Sequence, residues 1–383
     1  MQIFKRAIQT QIDNYLASKD PKILFMWGPR RSGKTTLLSQ VSQKLNVPIF
    51  NFDLLSDQQK FSLDLAALKK ITNSVPVILI DEVQNYPEAT IALKIIHDQI
   101  GTPVIATGSS ELRQKSARRF DSLAGRYKEI YCLPLATTEI MANIAPPSYL
   151  EAEINSQILE QVQIFGSYPE IFQPGLSENQ KIDSLTNILD NYAIKDIVNI
   201  YELKNAKLAK DILTQIALQI GSEVSIREIA NSLQANVVTV SNYIKIFIKN
   251  YILIPLYPFK SNLRRAVSKN RKLYFTDLGL RNALVRDFRA TPLRPDKGGL
   301  FENFIVSEVE KSKKINHLKL NLYFYREYSG REVDMVLEDY HKKYTCLEIK
   351  SSENNKISSV FPLAHELKVI TPKNYQKTLK SLP

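Results

Sequence analysis

Residues 28–36 read GPRRSGKTT, two glycines, a lysine and a threonine at the spacing G-x-x-x-x-G-K-T. Between a strand and a helix, that spacing makes a phosphate cradle. The glycines let the backbone fold tightly, and its N–H groups and the helix N-terminus face phosphate oxygens. The expected ATP-binding residues are therefore Gly28, Pro29, Arg30, Arg31, Ser32, Gly33, Lys34, Thr35 and Thr36. Lys34 is expected to reach the β- and γ-phosphates, and the Thr35 hydroxyl to ligate Mg²⁺. The apolar run VILIDEVQ (77–84) ends in two acids. Asp81 is expected in the Mg²⁺ shell, and Glu82 as the group that orients or deprotonates the attacking water. In PVIATGSS (103–110), Thr107 or Ser109 is the candidate polar sensor of the γ-phosphate. Arg113, Arg118, Arg119 and Arg126 are candidates to neutralise transition-state charge. Arg126, in LAGRY, is favoured because a glycine precedes it and a strand follows; its own subunit and a neighbouring one are both open as its target.

A second set of charges sits near the other end. Asp334, Glu348 and Lys350 interrupt two apolar strand patterns in VDMVLEDYHKKYTCLEIKSSE (333–353). Charges in strands are costly unless solvated or paired. Side chains alternate along a strand, so Glu348 and Lys350 share a face, with Asp334 opposite on the partner strand. Glu302 comes from the helical pattern GGLFENFIVSEV. Three carboxylates, Glu302, Asp334 and Glu348, can hold one or two Mg²⁺ ions and polarise a phosphodiester. Lys350 would orient the water or stabilise developing charge. Between these sets, KSNLRRAVSKNRK (260–272) carries Lys260, Arg264, Arg265, Lys269, Arg271 and Lys272 with no acid. Such a segment contacts nucleic-acid phosphates without reading bases.

Elements must hold these groups in place. Up to about residue 135 the pattern alternates strand and helix: KILFMW (22–27), VPIFNF (47–52), VPVILI (75–80), TPVIAT (102–107) and EIYCL (129–133) are the strands. This predicts α/β architecture with a parallel sheet. Residues 136–220 read as helical. Ser225, with Glu228 three residues on, opens a helix with Ile226, Ile229, Ala230 and Leu233 on its apolar face. A short turn leads to a second helix burying Val240, Ile244, Phe247 and Ile248, with Val237 at its start. Helix, tight turn, helix and a basic hairpin make a winged helix. TPLRPDKGG (291–299) is the expected linker to a last α/β segment.

The balance of charge divides the chain. The 383 residues carry a net charge of +12, yet residues 1–220 are neutral, residues 221–290 hold +8 and residues 291–383 hold +4. A neutral part joined to a basic one fits a small-ligand site beside a polyanion site, with DNA as the expected partner. Two cysteines and four scattered histidines form no disulfide or zinc pattern. No apolar run approaches a membrane span and the first residues form no signal-peptide core, so a cytoplasmic protein is expected.

Ordered along the chain, GPRRSGKTT, LIDEVQ, ATGSS, LAGRY, LPLATTEI, GSYPEIF, KLYFTDLGL, GGLFENFIVSEV, YREYSGREVDMV and LEIKSS carry a family likeness. The sequence resembles prokaryotic AAA-type ATPases with a carboxyl-terminal domain of the PD-(D/E)xK nuclease fold, within the archaeal-ATPase-like group. The resemblance implies a P-loop AAA-type ATPase core (1–135), a helical lid (136–220), a winged-helix module (221–290) and a restriction-endonuclease-like α/β domain (291–383). It also implies ATP-dependent action on DNA, branched DNA included, and a ring-like homo-oligomer with ATP near subunit boundaries. Val333 stands where the motif's name has proline. Two other readings compete: an ATP-gated DNA-binding switch with an inactive nuclease fold, and a signalling ATPase whose winged helix binds protein.

Overall fold

Apolar runs in the first third become short strands buried on both faces, as a parallel sheet flanked by helices requires. In the computed structural model these are β1 (Ile23–Trp27), β2 (Ile49–Asn51), β3 (Ile78–Asp81), β4 (Val104–Gly108) and β5 (Tyr127–Tyr131), in the order β2-β3-β4-β1-β5 and all parallel. Helices α1 (Gln9–Ser18), α2 (Lys34–Leu45), α3 (Leu55–Lys60), α4 (Leu65–Thr72) and α5 (Ala89–Ile95) join them to complete one unit, Ile3–Leu133. Strands β1, β3 and β4 are buried throughout, whereas edge strand β5 alternates and carries Lys128 and Glu129. The structure describes residues 2–18, 20–73, 75–108, 123–196, 205–259, 271–327, 329–351 and 360–382.

The second unit, Pro134–Pro383, begins with α6 (Thr137–Ile144), α7 (Glu151–Phe165), α8 (Glu178–Asn187) and α9 (Ala206–Leu218). Short strand β6 (Glu223–Val224) precedes α10 (Ile226–Ser232) and α11 (Val237–Lys249). The Ser225 hydroxyl caps α10 by accepting from Glu228 N at 3.3 Å, and Asn236 caps α11 by accepting from Val238 N at 2.8 Å. Val240, Ile244 and Phe247 are buried as the helical spacing requires, but Val237 is exposed, because it lies in the first turn outside the buried stripe. Phe165, Leu185, Ile212, Ile244, Phe247 and Leu280 share one apolar core. The segments read as lid and winged helix therefore do not pack as separate cores.

A single sheet of seven strands carries the rest. After β7 (Leu253–Pro258) and β8 (Arg271–Phe275) come helices α12 (Leu278–Val285) and α13 (Lys297–Ile315). Then follow β9 (Leu320–Arg326), β10 (Glu332–Asp339), β11 (Tyr344–Ile349), β12 (His365–Ile370) and α14 (Tyr375–Lys380). The order is β12-β11-β10-β9-β7-β8-β6. Strand β7 pairs antiparallel with β8 and parallel with β9, through Tyr257 opposite Tyr323 and Pro258 opposite Phe324. The basic hairpin and the last α/β segment are thus one continuous sheet. The expected linker at 291–299 runs into the first turn of α13, and a Cβ on Gly299 would lie 2.9 Å from Ile220 O. That glycine serves close packing rather than a free hinge.

Candidate functional site

At the carboxyl ends of β1, β3 and β4, the parallel register brings the first set of residues to one edge of the sheet. Gly28 passes so close to the strand-end backbone that a Cβ would lie 2.0 Å from Cys132 O. Only glycine fits there. Gly33, at φ 102, sits in the left-handed region and turns the loop into α2. The Ser32 hydroxyl donates to Pro29 O at 2.8 Å. Lys34 is 5% exposed, and its ammonium donates to Gly28 O at 3.0 Å and Pro29 O at 2.9 Å. Burial pulls its pKa below the ordinary lysine value, with Glu82 acting against that pull. Among the described residues its hydrogen bonds go to loop carbonyls, and a phosphate would give this buried ammonium a charged partner. Pro29 is buried, Arg30 and Thr36 are half-buried, and Arg31 and Thr35 are exposed.

Asp81 is gripped from both sides. Thr35 Oγ1 donates to its Oδ2 at 2.9 Å, and Thr107 Oγ1 donates to its Oδ1. The Thr107 hydroxyl, expected as a γ-phosphate sensor, is thus buried and committed to Asp81. Glu82 has φ 53 and ψ 46, a left-handed backbone that non-glycine residues adopt at a cost and that gathers at functional sites. Its carboxylate accepts from Gln84 Nε2. Sequence reading passed over two supports. One is Gln84; the other is Arg6, buried, which donates to Ser32 O at 2.7 Å and Leu133 O at 2.6 Å and so braces the loop from beneath. A lone arginine in an amphipathic helix pattern carries no signal of that role.

Arg126 stands elsewhere. It precedes β5, and its carbonyl accepts from Ile23 N at 2.9 Å, at the start of β1. The phosphate loop leaves the far end of β1, about 13 Å away at 3.3 Å per residue. The guanidinium pairs with Asp98 at 2.7 Å, and this hydrogen bond draws the Asp98 pKa down to about 2. Arg126 is therefore not at its own subunit's phosphate loop. Ser109, Arg113, Arg118 and Arg119 lie outside the described residues.

The second set is assembled from four elements. On the β9 side of β10 the register shifts between Val333 and Val336. A bulge of this kind re-aims a side chain, here Asp334. Asp334 Oδ2 accepts from Ile349 N at 2.7 Å and lies 3.6 Å from Lys350 Nζ, which pairs with Glu348 Oε2 at 2.9 Å. Helix α13 brings Glu302, and Asn303 beside it clamps the helix to β8 by exchanging hydrogen bonds of 2.7 Å with Phe275 N and O. Among the described residues, Glu302, Glu332 and Asp334 are the three acids whose ligand atoms lie within 4.8 Å of one another. Glu332 takes the place expected for Glu348, because the first residue of β10 and Glu302 converge on a common cation, Lys272.

Lys272 overturns its expected role. Read as a phosphate-contacting residue of the basic turn, it is instead 1% exposed on β8, bonded to Glu302 Oε1 at 2.9 Å and Glu332 Oε1 at 2.6 Å. Burial works to lower its pKa, but the two carboxylates outweigh it and hold the value above that of an ordinary lysine. Burial raises the pKa of Glu302, Asp334 and Glu348. The Tyr274 hydroxyl donates to Glu302 Oε1 as well. Arg271, half-buried, stacks on Tyr257 and donates to its hydroxyl at 3.2 Å. Lys260, Arg264, Arg265 and Lys269 lie outside the described residues. On α11, Val238, Asn242, Lys245 and Lys249 are all exposed at helical spacing. No helix among the described residues is long and apolar enough to cross a membrane.

Residues 20–141 match the family described as an AAA domain. Residues 156–291 and 297–376 match two domains of unknown function, DUF8612 and DUF4143. The AAA match spans the glycine-lysine loop and the Asp81–Glu82 pair described above. An uncharacterized protein of Methanocaldococcus jannaschii is 26% identical, over all of this chain and 84% of its own length. A second from the same organism is 26% identical over 72% of this chain and 65% of its own. Among solved structures, the Aeropyrum pernix ORC1 protein in complex with DNA is similar at a TM-score of 0.34 and 14% identity, covering 75% of this chain and 93% of that one. The Thermotoga maritima RuvB Holliday junction branch migration motor is similar at 0.31 and 17%, covering 66% and 89%. Both structural likenesses are loose.

Proposed function

We propose that the protein is an ATP-hydrolysing enzyme that binds DNA and couples nucleotide turnover to a divalent-metal nuclease centre in its carboxyl-terminal unit. The observation that carries the first half is the grip of Thr35 and Thr107 on Asp81, beside a buried Lys34 whose ammonium donates to the loop carbonyls of Gly28 and Pro29. Residues 28–36 would hold the triphosphate, and Thr35 and Asp81 the Mg²⁺, which supplies charge neutralisation when bound. Glu82 would hold and deprotonate the attacking water, its carboxylate aligned by Gln84. The position of Arg126, away from the loop of its own subunit, supports action on a neighbouring copy, hence a ring-like homo-oligomer.

In the second half, the winged helix (221–290) grips DNA and the PD-(D/E)xK-like region (291–383) cuts it. The +8 charge of residues 221–290 and the exposed Asn242, Lys245 and Lys249 of α11 support contact with a polyanion. The metal fits the residues: Glu348 Oε1 is buried without a hydrogen-bond partner, an open ligand atom beside Asp334. Glu302, Asp334 and Glu348, joined by Glu332, would hold it, and Lys350 would steady the charge on the phosphodiester. The experiment is an ATPase and nuclease assay over linear, forked and four-way DNAs with Mg²⁺ or Mn²⁺. Cleavage lost in Asp334→Ala with ATP turnover kept supports the reading. A specific observation favours a second one, the ATP-gated DNA-binding switch: Lys272 and Lys350 already neutralise part of the acidic cluster. If wild type cuts none of these DNAs with either ion, the switch is the function.

A further inference from the structure

We infer that the acidic cluster of the carboxyl-terminal unit takes one divalent cation rather than two, because the Lys272 ammonium holds the second cation position. This rests on the metal-site reading above and deepens it. The three acids whose oxygens come within 4.8 Å of one another are Glu302, Glu332 and Asp334, the arrangement a metal ion would use. Yet Lys272 Nζ is already there, 2.9 Å from Glu302 Oε1 and 2.6 Å from Glu332 Oε1. An ammonium at those distances from two carboxylates competes for the same two oxygens and repels a second cation beside it.

Lys272 is also built in rather than visiting. It stands on β8, one strand in from the edge of the seven-stranded sheet, with β7 on one side and the short edge strand β6 on the other. Its side chain is 2% exposed and its ammonium lies over the Phe324 ring at 5.6 Å. Tyr274, two residues along the same face, donates to the same Glu302 oxygen as Lys272. The charge balance points the same way. Glu302, Glu332, Asp334 and Glu348 face Lys272 and Lys350, leaving two formal negative charges, the charge of one divalent ion. Arg326 reaches Glu332 Oε2 at 3.4 Å but is itself paired with Glu223 at 3.1 Å, so that pair adds nothing to the balance. The atom left open for the ion is Glu348 Oε1, buried and without a hydrogen-bond partner among the described residues, next to Asp334.

The test counts ions. Mn²⁺ is titrated into the full chain without nucleotide, with free Mn²⁺ read by electron paramagnetic resonance. The sites lost on Asp334→Asn are those of the cluster. The expected count is one in wild type, two in Lys272→Met and one in Lys272→Arg, with folding of each variant followed by circular dichroism. A count of two in wild type, or an unchanged count of one in folded Lys272→Met, overturns the inference while leaving the metal site standing. A count of zero in wild type overturns both. Should Lys272→Met fail to fold, the wild-type count against Asp334→Asn still decides.

Discussion

The two charged sites of this chain solve opposite problems. At the phosphate loop the acid is held by neutral hydroxyls, Thr35 and Thr107 on Asp81, and the buried ammonium of Lys34 rests on backbone carbonyls. The acids act on the ammonium only through space, and the hydrogen bonds of both groups go to neutral partners. In the acidic cluster, ammonium groups already sit on carboxylates, Lys272 on Glu302 and Glu332, and Lys350 on Glu348. The first site is an anion receptor that is stable when empty. The second carries its own partial counter-charge, which lets four acids coexist in a buried setting. The contrast shows that a cluster of acids does not by itself give the number of ions bound.

Substitutions can break this comparison, and they fall in order of size. Lys34→Ala should eliminate ATP turnover, measured as phosphate release, because the loop loses the buried cation that would meet the phosphates. Retained hydrolysis would remove the receptor half of the contrast. Glu82→Gln should lower turnover by about 10²–10⁴-fold while keeping ATP bound, the loss typical of a missing general base; filter binding beside a turnover assay separates the two effects. Lys272→Met should cost about 3–5 kcal/mol in denaturant unfolding, the usual result of stranding buried charges by removing one partner. Saturating Mn²⁺ should return part of that stability, as a ligand that binds only the folded state does. A neutral result would mean that the cluster does not need its ammonium. Arg126→Ala should leave the unfolding midpoint in denaturant nearly unchanged, since its pair with Asp98 is partly exposed. Its effect on ATP turnover should instead grow with protein concentration, as expected of a group acting on a neighbouring copy. An equal loss at every concentration would remove that role.

The phosphate loop was legible because its residues are contiguous and obey one local rule. Gly28, Gly33, Lys34 and Thr35 stand in a single turn between a strand and a helix, and Asp81 ends an apolar strand that a parallel register must place nearby. The caps of α10 and α11 were legible for the same reason, Ser225 and Asn236 acting within three residues of their own positions. Glu302, Asp334, Glu348 and Lys350 could be singled out as charges that an apolar pattern should not contain. Their partners could not. Arg6 braces Ser32 and Leu133 across 26 and 127 residues, and no periodicity links such positions.

The sequence by itself therefore determined the nucleotide cradle, the alternating α/β character of the first unit and the chemical types gathered near the end of the chain. These follow from local backbone rules and from side-chain periodicity. Only the tertiary structure decided which charges meet. One more pairing, β7 beside β9, merges the basic hairpin with the last α/β segment and carries Lys272 from an apparent basic turn into the heart of an acidic cluster. Side chains on one strand face are neighbours across the whole sheet, so strand order, which no local pattern encodes, chose the counter-charge.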